Sequence, residues 1–79
     1  MTIRPLSTIA QEITTLWPKP YFGAVPYLRA MRSLSRLNDS YGLDSGASVV
    51  RYFLSNATSW RGEDAKRIKS ELRTMLDAH

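Results

Sequence analysis

Arginine is the residue type with the clearest chemical potential in this chain, and three arginines recur at helical spacing. Arg29, Arg32 and Arg36 are three and four positions apart, so on a continuous helix they would share one face. No acidic residue lies between Arg29 and Arg36 to neutralise them. Because the planar guanidinium pairs with carboxylate or phosphate through two parallel hydrogen bonds, the stripe predicts an acidic partner. The alternative is a solvated face, or pairing with acidic residues elsewhere in the chain.

A second group of cations follows the same spacing near the C-terminus. Lys66, Lys69 and Arg73 line one side of a predicted helix, but acidic residues lie close to them in the sequence and offset their charge. A nucleic-acid-binding protein would use both groups on phosphates, which makes the candidate contacts Arg29, Arg32, Arg36, Lys66, Lys69 and Arg73. A helix-turn-helix motif fits poorly, because that motif needs a turn of about three or four residues and a polar recognition helix.

Tyrosines beside polar and basic residues supply the other candidate contacts. Tyr41 falls in a predicted loop, and Tyr52 follows Arg51 on the polar side of a predicted helix. Tyrosine and arginine are enriched in the hot spots of protein interfaces. The partner-binding candidates are therefore Arg29, Arg32, Arg36, Tyr41, Arg51 and Tyr52. The aromatic residues Trp17 and Phe22 are better assigned to the core or its lid.

Composition argues against an enzyme and against a bound metal or cofactor. The chain has 79 residues, no cysteine and one histidine, His79, which is the last residue. No serine has a usable histidine, no carboxylate pair lies on an apolar face, and no glycine loop resembles a phosphate cradle. The net charge of +4 suits acidic partners. No apolar run approaches the ~18 residues of a membrane span, and no signal peptide is recognisable, so a cytoplasmic protein without a membrane partner is expected.

Apolar periodicity predicts an all-α fold in one compact domain, residues 1–79, with residues 1–6 as a loose lead-in. The stretch from Ala47 to Ala57 is the most apolar, and Val49, Val50 and Phe53 share one side of its helical wheel. Gly42 is expected to take a positive φ before that helix, and Asp44 or Ser45 to cap it. The four helices are predicted at residues 8–17, 24–37, 45–57 and 60–77.

Two runs of sequence resemble a family of small uncharacterised actinobacteriophage proteins, of the mycobacteriophage type. They are Pro20-Tyr-Phe-Gly-Ala-Val-Pro-Tyr-Leu-Arg-Ala-Met31 and Ser48-Val-Val-Arg-Tyr-Phe-Leu-Ser-Asn-Ala-Thr-Ser-Trp-Arg-Gly-Glu63, within a match of residues 9–76. The runs hold no biochemical motif, so no site residues carry over. The resemblance implies a context, in which small phage proteins often bind and redirect a protein of the bacterial host, some are toxic to the host, and others bind nucleic acid.

The sequence thus predicts a small non-enzymatic protein-interaction module, and the resemblance implies that it is a phage-encoded effector that binds a host protein. The alternative is a nucleic-acid-binding accessory protein that contacts phosphates through its basic helix faces. Self-association into a homodimer is left open, and the segment from Trp17 to Tyr27 would supply its apolar surface.

Overall fold

The computed structural model describes residues 3–78, and that part of the chain holds four α-helices, one 3-10 turn and a two-stranded antiparallel sheet. The elements, in chain order, are α1 (Leu6–Leu16), the 3-10 turn (Phe22–Ala24), α2 (Val25–Arg32), β1 (Ser40–Tyr41), β2 (Asp44–Ser45), α3 (Gly46–Ser55) and α4 (Glu63–Ala78). The protein is therefore mostly helical with four helices, as predicted. The expectation of a purely all-α fold is corrected by the small sheet.

The central helix, α3, organises the core as its apolar pattern predicts. Val50 and Phe53 are fully buried and Val49 nearly so. Helix α1 packs on α2 and α2 packs on α3, while α4 contacts both α1 and α3. Ser45 caps the N-terminus of α3, because its Oγ accepts a hydrogen bond from the Ser48 amide at 3.1 Å. This cap, and the positive φ of 62° at Gly42 in the hairpin turn, confirm the predictions for this region.

Helix α2 ends at Arg32, five residues before the predicted end at Leu37. The helical conformation ends there because the carbonyl groups that follow accept hydrogen bonds from the first turns of two other helices. First-turn amides of a helix have no partner within it, and here those of α1 and α3 donate to the segment 34–39 at 2.7–3.0 Å: Leu6 to Ser35, Ser7 to Leu34, Gly46 to Asp39 and Ala47 to Leu37. The local spacing of apolar residues does not predict these hydrogen bonds, because their donors lie in other parts of the chain.

Two tryptophans close the end of the core where α1 finishes. Trp17 stacks on Trp60 with ring centroids 5.5 Å apart, and it forms a T-shaped pair with Phe53, with centroids 6.5 Å apart. The prediction of Trp17 as core or lid is thus confirmed. Trp60 is buried within the last connection, and α4 begins at Glu63 rather than at residue 60.

The N-terminal segment is packed, not loose, from Arg4 onwards. Leu6 is fully buried as the first residue of α1, and Arg4 forms ion pairs with α1 and α4. The predicted lead-in of residues 1–6 is corrected accordingly, while its first two residues, Met1 and Thr2, lie outside the described residues. The same holds for His79.

Candidate interaction surfaces

The outer face of α2 carries the arginines that the sequence singled out, but only two of the three. Arg29 and Arg32 are exposed, and neither forms an ion pair within residues 3–78. Counting back from Arg29 by four and by seven positions places Val25 and Phe22 on the same side of the continuous 3-10 and α-helical run. We call these four residues, Phe22, Val25, Arg29 and Arg32, the outer face of α2.

Phe22 contradicts its predicted assignment to the core or lid, because 79% of its surface is exposed. Its ring lies on that of Tyr21, with centroids 4.8 Å apart. The backbone beneath is tightly enclosed: a Cβ at Gly23 would lie 2.6 Å from Tyr21 Cε2 and 2.8 Å from Asn56 Oδ1. The 3-10 turn buries Ala24 instead. Phe22 therefore contacts the Tyr21 ring while most of its own surface faces solvent.

Arg36 is not part of this face. It follows the end of α2 and lines an open groove of about 580 Å³ together with Ile3, Arg4, Leu37 and Met75, among others. Its backbone amide and that of Ser35 donate to Asp39 Oδ2 at 2.9 and 3.0 Å. These hydrogen bonds, the one from Arg36 first, lower the pKa of the Asp39 carboxyl. The predicted three-arginine stripe is corrected to a pair.

The predicted tyrosine contacts are exposed but do not meet in one place. Tyr41 is 46% exposed in the hairpin that precedes α3, whereas Tyr52 is 49% exposed in the second half of α3. The Tyr52 ring lies 5.5 Å from that of Tyr27 on α2. Arg51 is exposed beside it. Tyr52 therefore lies at the contact between α2 and α3, whereas Tyr41 lies in the hairpin.

The basic side of α4 contains a cluster of like charges. Lys69 is half-buried and its Nζ donates to the Trp60 carbonyl at 2.6 Å. Partial burial lowers the pKa of Lys69, and the nearby charges of Arg73 and Arg61 lower it further. Sequence reasoning did not include Arg61 in this group, and the structure places it in the connection just before α4. Lys66 and Arg73 are exposed, as a phosphate-contacting role requires.

Arg36 does not extend the basic side of α4. Lys69 and Glu71 are two positions apart in α4, which places them about 200° apart around the helix. Glu71 faces Arg4, and Arg4 and Arg36 line the same groove. Arg36 and Lys69 therefore lie on different sides of the protein.

An ion-pair network joins the N-terminal segment to α1 and α4. Arg4 binds Glu12 at 2.8 Å and Glu71 at 2.6 Å, while Arg67 binds Glu12 at 2.9 Å and Asp64 at 3.3 Å. Hydrogen bonds from Arg67 and then Arg4 lower the pKa of Glu12. The sequence hid this network because Arg4 lies in the presumed lead-in and its partner Glu71 is 67 positions away.

The network also concentrates negative charge and leaves the remaining surface more basic. Its two cations and three carboxylates have a net charge of −1. The other nine of the 11 Lys and Arg residues face only four of the seven acidic residues, a net charge of +5. The outer face of α2 and the basic side of α4 both belong to this part of the protein.

No protein-family model matches the chain, and it has no significant match among curated proteins or solved structures. The resemblance to small actinobacteriophage proteins therefore remains an expectation. Within residues 3–78, no group of three or more acidic or histidine side chains is placed to hold a metal ion. No helix in the same range combines the length and apolar content needed to cross a membrane.

Proposed function

We propose that the protein is a non-enzymatic protein-interaction module that binds its partner through the outer face of α2. The observation that carries this proposal is the exposure of Phe22, at 79% of its surface, in a backbone enclosed by Tyr21 and Asn56. A partner that covers this ring gains apolar burial.

The partner in this proposal is a protein of a bacterial host, and the protein acts in the cytoplasm as a phage-encoded effector. This part rests on the resemblance of residues 9–76 to small actinobacteriophage proteins. The surface chemistry agrees with a protein partner, because Tyr21, Phe22 and Arg29 are residue types that anchor interfaces or fill their centres.

An affinity pull-down from bacterial lysate tests the proposal with a matched pair of variants. Phe22→Ser removes the exposed ring of the outer face of α2. Leu43→Ser removes an apolar side chain that is even more exposed, because Leu43 at the hairpin tip is fully exposed. We expect wild type and Leu43→Ser to retain the same protein and Phe22→Ser to lose it. Failure to retain any specific protein, or equal retention by Phe22→Ser, contradicts the proposal.

A second candidate function, binding of nucleic acid, is favoured by the cluster of Arg61, Lys69 and Arg73 on the basic side of α4. Burial lowers the pKa of Lys69 and repulsion from Arg73 and Arg61 lowers it further, and a bound phosphate would relieve that repulsion. Binding of random duplex would weaken with salt at a log–log slope of about −0.9 per phosphate contact. Loss of binding in Lys66→Gln/Arg73→Gln supports this function, and absence of binding at about 50 mM salt contradicts it.

The homodimer left open by the sequence would use the same aromatic pair. Tyr21 and Phe22, exposed by 47% and 79%, lie inside the segment from Trp17 to Tyr27. Sedimentation equilibrium distinguishes the states, because one chain has a mass of 9.0 kDa. A single-chain mass at high protein concentration contradicts dimerisation.

A further inference from the structure

We infer that the partner presents an acidic amphipathic helix to the outer face of α2. An apolar side chain of that helix covers Phe22, and carboxylates pair with Arg29 and Arg32. The inference rests on the proposed function and specifies the chemistry of the partner. It follows from the order of residue types along this face, from aromatic at the N-terminal end to basic at the C-terminal end.

The spacing along the face matches a second helix. At a rise of about 2.0 Å per residue in the 3-10 turn and about 1.5 Å in the α-helix, Phe22 lies about 12 Å from Arg29 and about 16 Å from Arg32 along the axis. A helix that packs alongside presents one residue per turn to its neighbour, at positions three or four apart. An apolar residue followed by carboxylates two and three turns away therefore reaches Phe22, Arg29 and Arg32 together.

The arginines lack acidic partners within residues 3–78. Three carboxylates are held in the ion-pair network, and Asp39 accepts backbone amides. The acidic residues that remain, Asp44, Glu63 and Asp77, form no ion pair with Arg29 or Arg32. Both arginines lie in the last turn of α2, where any positive charge stabilises the helix. Their guanidinium groups offer in addition a planar fork that fits a carboxylate.

Other occupants fit this face less well. A second copy brings no carboxylate to this face: packed parallel, it sets its own Arg29 and Arg32 against the same pair, where like charges weaken the interface, and packed antiparallel it sets them against Phe22. Duplex DNA is read in the major groove by side chains that hydrogen-bond to base edges, whereas Phe22 and Val25 occupy the N-terminal half of this face. An acidic protein helix satisfies both the apolar and the basic end.

Selection from a displayed library of random peptides of about 16 residues, long enough for four helical turns, tests the inference. The wild-type protein is the bait. We expect enriched peptides to carry an apolar residue and at least two carboxylates at helical spacing. Their affinity falls about tenfold or more for Phe22→Ser and for Arg29→Gln/Arg32→Gln. The matched charge control, Lys66→Gln/Arg73→Gln, leaves it unchanged.

A charge swap separates direct pairing from a general charge effect. Arg29→Glu/Arg32→Glu is expected to lose the selected peptide and to bind a version in which the carboxylates are replaced by lysine. Circular dichroism shows whether the glutamate variant is folded. If it is unfolded, Arg29→Lys/Arg32→Lys takes its place, because lysine keeps the positive charge that stabilises the helix. Recovery of binding by the swapped pair supports the inference, and failure of recovery in the folded variant overturns it.

The failure of the inference is distinguishable from the failure of the proposed function. Enriched peptides without carboxylates, no enriched peptides, or displacement of the peptide by a single-stranded oligonucleotide each overturns the inference. If the pull-down still yields a partner that depends on Phe22, the proposed function stands and only the acidic character of the partner is wrong. If the pull-down also yields no partner, both fail.

Discussion

Arg4 and Glu71 form a two-point ion pair between residues 67 positions apart, with Nε donating to Oε2 at 2.9 Å and Nη2 to Oε1 at 2.6 Å. The remaining nitrogen of the same guanidinium, Nη1, lies 2.8 Å from Glu12 Oε1. Hydrogen bonds to Glu71 and Glu12 raise the pKa of Arg4, which keeps it charged. One side chain therefore ties the N-terminal segment to both α1 and α4.

Removal of this tie is expected to lower the stability of the whole domain. Arg4→Gln leaves Glu12 and Glu71 without their shared cation, and we expect a loss of about 1 kcal/mol, at the upper end for a partly exposed pair. Arg51→Gln is the control, because Arg51 is exposed and forms no ion pair within the described part of the chain. Urea unfolding of both variants checks the prediction. Equal midpoints for the two variants would show that the network adds nothing.

The network predicts a loss of stability in acid. The folded state lowers the pKa of Glu12 through hydrogen bonds from Arg67 and Arg4. The ionised carboxyl therefore stabilises the fold above its ordinary pKa of about 4.3, and this contribution disappears as the pH falls through the lowered value. Unfolding midpoints measured from neutral to acidic pH should fall in wild type and fall less steeply in Glu12→Gln. Parallel curves for the two proteins would contradict this assignment.

The buried face of α3 is expected to control stability. Phe53 is fully buried and packs against Trp17 in a T-shaped arrangement, so Phe53→Ala should cost ~3–5 kcal/mol. Leu43→Ala at the exposed hairpin tip should change the free energy of unfolding by less than ~0.5 kcal/mol. Thermal unfolding followed by circular dichroism compares them. A small effect of Phe53→Ala would show that the core does not depend on this side chain.

The close approach of α3 to the segment 34–39 explains the glycine at the start of the helix. A Cβ at Gly46 would lie 2.5 Å from the Arg36 carbonyl oxygen, and backbone cannot move aside cheaply, so Gly46→Ala should cost ~1–3 kcal/mol. Gly42 has open space around it and a φ of 62°, a conformation that asparagine tolerates. Gly42→Asn should therefore unfold close to wild type. A neutral Gly46→Ala would contradict the tight packing of this junction.

The fold was predictable where local pattern and tertiary contact agree. The burial of Val49, Val50 and Phe53 follows from helical periodicity alone. The end of α2 was not predictable, because Leu34 and Leu37 continue the apolar spacing while their carbonyls are needed by α1 and α3. Local spacing cannot predict hydrogen bonds between residues that are far apart in the sequence.

The candidate surface was predictable only in part for the same reason. The spacing of Arg29 and Arg32 predicted that they share an exposed face of a helix, and both are exposed on α2. Arg36 has the same spacing, but it lies beyond the end of α2. Phe22 was assigned to the core because large aromatic residues are usually buried. Its exposure depends on the 3-10 turn, and this short run of polar and apolar residues has no pattern that predicts such a turn.

The central claim is that the outer face of α2 binds the partner. Its most direct test is a titration of the isotope-labelled protein with the selected peptide, followed residue by residue in amide NMR spectra. The account predicts the largest shifts between Phe22 and Arg32, with small shifts across the basic side of α4 from Lys66 to Arg73. Shifts confined to α4 or to the hairpin at Tyr41, with none in α2, would contradict it.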